Sequence, residues 1–456
     1  MIRGAHNLIQ TIIVMTAITQ PLTNPTATAD PTGNTSQLST QNRIKALEAE
    51  LKNIRQLQNQ TWLTNQSKTA EQLQSLITQT IRNTESHTSL LSQDIEAGYQ
   101  NGYVLKSSDG KFSLKIGLQE MVRFIYNDRD AMRIADGTTS GFENRRTKLF
   151  FSGNALHPDF SYKISISFSK SSGTASLSDA YARWQLTDQT AIQLGQFKPP
   201  FLYEELMSSS NQLTADRSYV NALRTLARTQ GIMLDHQDDK WRLRAAINDG
   251  VIINPAGTNS KTSNTPFNAS SAEFAITART DFLIRGDWKQ FKDYTSWGDD
   301  EFGLLLGAAA HWQTDAFGSS SNENQFIEYT IDAAAEFGGA EIAAALVGSY
   351  IDSNSPTTPT YNQIGGIHLV PDKIELFTRY EWFNFDNATK STTNANFSAL
   401  TTGINYYLKK QNIKFTTDII WAFDPVPTSS TSVGLLADSP GADDQFTLRS
   451  QISLRW

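Results

Sequence analysis

From Phe112 to Trp456 apolar and polar residues alternate with a period of two, the pattern of strands with two unlike faces. Phe112, Leu114, Ile116 and Leu118 alternate with Ser113, Lys115, Gly117 and Gln119. Phe160, Tyr162, Ile164, Ile166 and Phe168 alternate with Lys163, Ser165 and Ser167, and Phe446, Leu448, Ile452 and Leu454 with Thr447, Arg449, Gln451 and Arg455. The apolar face often ends in an aromatic, whereas the other face is polar and often charged. Connections alternate between short and long. The short ones include Leu156–Asp159, Asp188-Gln189, Gly338-Gly339, Pro371-Asp372 and Lys410-Gln411; the long ones are 127–141, 198–225, 249–270, 385–396 and 424–443. These features predict an all-β transmembrane barrel of sixteen antiparallel strands over 98–456, with the apolar face towards lipid, the polar face lining water and both ends in the periplasm. Trp456 within an alternating strand resembles the terminal aromatic signal of outer-membrane proteins. One segment, 283–300, is long where a short turn is due.

Before Gly98 the period is helical. Ile44, Leu47, Leu51 and Ile54 recur at 3-4-3 spacing, and a second seam passes through Ala70, Leu73, Ile77, Thr84 and Leu91. Between the seams the core positions turn polar, at Gln58 and Asn65. The expectation is an α-helical coiled coil over 41–97 on the periplasmic side, holding subunits together or reaching the cell wall. Residues 30–40 read as a linker and 1–29 as an export signal: Arg3, an apolar run from Leu8 to Ile18, and the small residues Ala27-Thr28-Ala29.

The long connection 198–225 carries the most information. Pro199-Pro200 ends the strand before it, because two consecutive N–H donors are missing. Leu202, Leu206 and Leu213 then need something to pack against, and long ordered loops are usually functional. The loop is expected to fold into the bore and narrow it.

Composition changes the picture less. The 456 residues include no Cys, which suits an exported protein, and the net charge is −7, from 39 basic and 46 acidic residues. That balance argues against a nucleic-acid partner. The six His residues are scattered, with no Ser/His/Asp arrangement and no metal-ligand spacing, so neither an enzyme nor a cofactor is expected.

The segments GFENRRTKLFFSG (Gly141–Gly153), SLSDAYARW (Ser176–Trp184), GQFKPPF (Gly195–Phe201), EEL-x-SS (Glu204–Ser209) and DRSYVNAL (Asp216–Leu223) resemble the phosphate-selective porin O/P family, specifically up to about residue 235. The resemblance implies a homotrimeric, sixteen-stranded outer-membrane channel with an inward third loop, passing small anions such as phosphate or polyphosphate. It points to Arg145, Arg146 and Arg217 as anion contacts, with Asp179 tuning them. The family's external arginine ladder is only partly present, at Arg242 and Arg244, and phosphate selectivity does not follow. Alternation gives an independent view. It turns Arg146, Lys148 and Ser152 towards water, and likewise Arg123 with Lys115, and Asp179 with Tyr181 and Arg183. Arg145 then points outwards unless a bulge frees it. Guanidinium suits an oxyanion because its fork offers parallel donors. The rival reading of Arg183, and more weakly of Arg146, is that each pairs with an acidic residue and stiffens the barrel. The competing function is a general, non-selective porin that also tethers the outer membrane through its coiled coil.

Overall fold

The computed structural model describes residues 45–57, 75, 95–100, 102–129, 137–253, 259–260, 263–267, 272–314, 325–351, 355–356, 360–384, 396–438 and 444–456. The chain divides into two units, Met1–Ser92 and Gln93–Trp456. In the first, residues 45–57 are helical. The export signal, the linker and the rest of the first unit's expected coiled coil lie outside the described residues, apart from Ser75. Residues 95–97, expected to end the helix, instead open a β-hairpin: Ile95–Tyr99 pairs with Tyr103–Ser107. Ile95, Ala97 and Tyr99 alternate with Glu96 and Gly98, so the period of two starts before Gly98 rather than after it.

The second unit holds sixteen long antiparallel strands. They are β1 (Ser113–Asp128), β2 (Thr138–Ala155), β3 (His157–Phe168), β4 (Ala175–Gln185), β5 (Thr190–Phe197), β6 (Thr229–Gln237), β7 (Trp241–Asn248) and β8 (Phe274–Arg285). Then follow β9 (Gly303–Thr314), β10 (Gln325–Glu336), β11 (Ala340–Ile351), β12 (Thr360–Val370), β13 (Ile374–Asn384), β14 (Asn396–Lys409), β15 (Ile413–Ala422) and β16 (Gln445–Arg455). Each pairs with its sequence neighbours, and β16 pairs with β1 from Phe446↔Asp128 to Arg455↔Gln119, closing the barrel. Closure leaves no free edge, so the backbone polar groups are satisfied between strands, as a membrane demands. The N-terminal hairpin adds to β1 below that seam, Tyr103 opposite Ile116.

The alternation sorts as expected. On β9 Leu305, Ala309, His311 and Gln313 face inwards and are buried, whereas Leu306 faces out. The bore is not empty. Residues 198–228 cross it as two short helices, α1 (Tyr203–Leu206) and α2 (Tyr219–Arg224), joined by a 3-10 turn at Ser209–Asn211 and a bent stretch of chain. Phe201, Tyr219, Val220, Leu223 and Leu226 form an apolar core with the inward Phe383, Phe397 and Ile420 of β13–β15. The ring of Tyr219 lies 4.6 Å from that of Phe397. Val426, Val433 and Leu435, from the connection after β15, join the same core. The 286–302 connection is structured and turns inwards at the end carrying the short turns. Its Tyr294 N–H donates to Asn211 O over 3.3 Å, and Thr295 Oγ1 bonds Tyr407 Oη over 2.9 Å. The long connection therefore fits a count of sixteen strands, as a folded segment that meets the inward loop from below.

Candidate functional site: the inward loop and the lumen

Asp216, on the loop, is the centre of the site. Its carboxylate accepts from Arg146 Nη2 at 2.9 Å, from Arg123 Nη1 at 3.2 Å and from Arg145 Nε. Two adjacent arginines reach it because the β1–β2 register shifts here: Met121 lies opposite Arg146 and Val122 opposite Asn144, leaving Arg145 as the extra residue of a β-bulge. The bulge turns both side chains inwards, which no regular strand allows. Burial pushes the Asp216 carboxyl up, but Arg145, Arg146 and Arg123 outweigh it and hold it well below the usual carboxylate range. Arg123 also donates to Glu143 over 2.7 Å and to Ser432 O over 2.7 Å, tying a second loop to the same wall.

The loop is fastened on its other side by single polar contacts. Ala215 N–H donates to Asp418 over 2.9 Å, Asn405 Nδ2 to Leu213 O over 2.8 Å and Arg379 Nη1 to Thr214 Oγ1 over 2.8 Å. Ser218 caps α2 by accepting from Asn221 N–H over 2.9 Å, while its own N–H donates to Glu204 over 2.8 Å. Burial raises the Glu204 carboxyl, against the lowering pull of Arg379.

A cavity of about 1030 Å³ remains beside the loop, between β1–β5 and the turns below. Ten lysines and arginines line it against three aspartates. Four of the cations come from the end with the short turns: Lys373, Lys409, Lys410 and Arg455. Nearer the loop stand Lys148, Lys163, Lys198, Arg217 and Arg228. Two carboxylates hold four of these. Asp179 accepts from Arg228 Nε at 2.7 Å and faces Lys163 Nζ at 3.0 Å. Glu205 faces Arg217 at 3.2 Å and Lys198 at 3.3 Å. Burial raises the Glu205 carboxyl, but Arg217 and Lys198 bring it down to about 2. Burial, with Arg217 and Arg228 nearby, lowers the Lys198 ammonium to about 7, although Glu205 opposes it. Lys148 has no ion-pair partner among the described residues.

The sequence-derived residues thus divide. Arg123, Arg145 and Arg146 converge on Asp216 and hold the loop. Lys148, Asp179 and Arg217 line the cavity. Arg183 lies apart from both groups and donates to Asp235 over 2.7 Å, which Arg242 also holds. Asp216, Lys198, Arg228 and Lys163 were missed. Asp216 directly precedes Arg217 in the same motif, and Lys198 stands inside GQFKPPF, so both were in view. Lys163 had the inward parity. Arg228 carried no local signal. Among the described residues no group of His, Cys, Asp and Glu has the geometry to hold a metal ion.

The model of the family "Phosphate-selective porin O and P" matches residues 115–283. A protein of Aquifex aeolicus (strain VF5), described as uncharacterized, is 25% identical over 346 residues, 68% of this chain and 81% of that one. Among solved structures, the anion-selective porin from Comamonas acidovorans is 14% identical with a TM-score of 0.52, covering 75% of this chain and 99% of its own. OprB of Pseudomonas putida is 7% identical with a TM-score of 0.53, over 75% of this chain and 94% of its own. The outer membrane channel DcaP of Acinetobacter baumannii is 12% identical with a TM-score of 0.52, over 79% of this chain and all of its own. At these identities the likeness is one of fold, a porin-like closed barrel, and the family match over 115–283 fits an outer-membrane channel. The bulged arginine pair, the Asp179 strand and the inward loop all fall within 115–283, the stretch over which this chain is similar to the phosphate-selective porin O and P family.

Proposed function

We propose that the chain is an anion-preferring outer-membrane porin, passing small anionic solutes through the space between the inward loop and the β1–β5 wall. The observation that carries this is the cavity lining, ten basic side chains against three aspartates, in a protein whose net charge is −7. Lys148 and Arg217, helped by Lys198 and Arg228, meet the anion, and Asp179 moderates the field. Arg123, Arg145 and Arg146 act one step back, by holding the loop through Asp216. Several weak cationic positions along the path suit conduction better than one tight site, since the ion must also leave. Phosphate or polyphosphate is a natural solute for guanidinium and ammonium donors, and the matching family's description supports it. The functional unit is a homotrimer, with the helical seam at Leu47, Leu51 and Ile54 holding subunits together in the periplasm and offering a tether towards the cell wall.

The test is the reversal potential of single channels in a potassium chloride gradient. Reversal towards the chloride potential supports the reading. Reversal near zero makes the protein a general porin, and reversal towards the potassium potential overturns the anion preference.

A further inference from the structure

The 286–302 connection supports the inward loop from below. Asn211 of that loop accepts the Tyr294 N–H on its carbonyl and donates its own Nδ2 to Lys292 O over 2.9 Å. Tyr203 of α1 donates its hydroxyl to Phe291 O over 3.2 Å, and its ring stands edge-on to Tyr294 with 5.6 Å between centroids. Phe291 and Tyr294 share an apolar cluster with Met207 and Leu213 of the loop and with Leu305 and Phe377 of the wall. The floor of the loop is therefore a turn that enters from the short-turn end.

The seat of that turn is acidic. Ser296 N–H donates to Glu341 Oε2 of β11 over 3.1 Å, and Ser296 Oγ accepts from the N–H groups of Gly338 and Gly339. Glu341 reaches across Gly366 of β12, where a Cβ would stand 2.3 Å from its Oε1. The charge that acts most on it is Glu375 of β13, whose Oε2 accepts from Asn405 Nδ2 at 2.8 Å and from Tyr407 Oη at 2.5 Å. Glu341 Oε1, Glu375 Oε1 and Glu336 Oε2 of β10 are buried with no hydrogen-bond partner among the described residues. Asp293, on the connection itself, lines the cavity and accepts from Thr295 N–H over 3.0 Å. The cation among them is Lys414 of β15, whose ammonium donates to Gln212 O of the inward loop. His368 of β12 lies beside Trp297 and Tyr407, with ring centroids 5.7 and 5.9 Å away. Farther out, Asp300 accepts the Trp297 N–H, Asp372 accepts the Gly298 N–H, and Lys410 stands over the Trp297 ring. From the inward loop, Glu204 and Arg217 act on Tyr294. Four carboxyls around one ammonium repel one another once ionised, and burial leaves little water to screen them.

We propose that the 286–302 connection is a pH-released prop: seated, it holds the inward loop from below, and ionisation of Asp293 and of the Glu341–Glu375 pair drives it off its seat, so that the loop loses its floor. Burial pushes the Asp293 carboxyl up to about 7, with Glu375 adding to the push and the Thr295 N–H and Lys414 opposing it. Swung into water, the same carboxyl returns to its ordinary 3.8. Between those two values the released form has lost a proton that the seated form keeps, so the hold weakens as pH rises. Below about 4 the contribution of Asp293 is fully present, and above about 7 it is gone. The anion preference does not enter this inference, and reversal potentials do not test it.

The test uses the full chain in detergent micelles, where a maleimide reaches both ends of the barrel. The chain has no native Cys, so Ser296→Cys, buried in the seat, and Lys289→Cys, exposed on the same connection, each report alone. Dividing the first labelling rate by the second removes the pH dependence of the thiol itself. The ratio is expected to rise about tenfold or more from pH 5 to pH 8. Adding Asp293→Asn and Glu341→Gln, which keep the acceptors for Thr295 and Ser296 and remove the charges, is expected to hold the ratio at its pH 5 value throughout. A ratio that does not change with pH, or a rise that survives both substitutions, overturns the proposal. The chain without cysteines gives a second reading in planar bilayers. Its open-channel noise is expected to be greater at pH 8 than at pH 5, and Asp293→Asn to remove the difference. Lys198 stays in place in that variant, so noise that still rises with pH belongs to Lys198 or another group and also overturns the proposal.

Discussion

Lys198 shows how a single residue connects the loop to the lumen. It follows the last strand residue of β5 and precedes Pro199-Pro200, so its backbone is fixed on both sides. Its ammonium is held by the Glu205 carboxylate at 3.3 Å and by two loop carbonyls, and burial lowers it to about 7. A lysine depressed below its ordinary 10.5 loses charge in the folded protein before the unfolded chain does. Between about 7 and 10.5 the unfolded chain binds the extra proton, so Lys198's contribution to folding stability rises with pH across that window. Its contribution to the lumen runs the other way, because each deprotonated Lys198 removes one cation from the wall. We expect the anion-to-cation permeability ratio to fall between pH 6 and pH 8 and Lys198→Arg to flatten that change, as read from reversal potentials at each pH. A ratio equally steep in both proteins assigns the titration to another group. At this scale the sequence was readable where parity decides: Lys148, Asp179 and Arg183 face the interior as alternation requires. It was unreadable at Arg145, because a one-residue bulge is set by the register between two strands and leaves no mark in either alone.

Among the elements, the inward loop was the most legible and its fastening the least. The proline pair marked where β5 ends, and Leu202 and Leu213 signalled packing; both are buried. Which wall the loop packs against depends on residues nearly two hundred positions away, such as Phe397 and Asp418, and no local pattern carries that. The structure fastens the loop at two edges: a charged clamp at Asp216 on β1–β2, and an apolar and hydrogen-bonded seat on β13–β16. Removing Asp216 leaves three arginines around an empty carboxylate position, a broken buried cluster of the kind that costs about 3–5 kcal/mol. The apolar seat survives that change, so the loop stays in the barrel while its β1–β2 edge lifts. Asp216→Ala is therefore expected to give folded barrels with larger, noisier single-channel conductance, and the loop should become a target for added protease. A quiet channel of wild-type size shows that the clamp is dispensable. The N-terminal boundary was misplaced for a related reason: Ile95, Ala97 and Tyr99 suit either a helix or a strand, and the pairing with Tyr103–Ser107 decides in favour of the strand.

Over the whole molecule, an acidic protein encloses a basic cavity, and distance reconciles the two. Exposed charges more than ~8 Å apart are largely screened at physiological salt, so acidic groups on distant loops contribute little to the field in the lumen. A cation at about 4 Å from an ion contributes ~4 kcal/mol at an effective dielectric near 20. A few lining residues therefore outweigh a net charge of −7 spread over 456 residues. The structure also separates Lys148, which lines the cavity, from arginines that hold the loop through Asp216, and the two classes should fail differently. Lys148 lines the cavity without an ion-pair partner among the described residues, so Lys148→Glu changes the field and breaks no ion pair there. Arg146 donates to Asp216, so Arg146→Glu sets two carboxylates against each other and releases the loop edge. The expected outcome is that Lys148→Glu shifts the reversal potential towards potassium while leaving open-channel noise near wild type. Arg146→Glu should raise conductance and noise together, with a smaller shift per charge changed. Arg183→Gln, at a site tied to Asp235 and away from the passage, should alter neither quantity. If Lys148→Glu leaves the reversal potential in place while Arg146→Glu moves it at constant noise, the passage runs past the bulged arginines rather than beside Lys148.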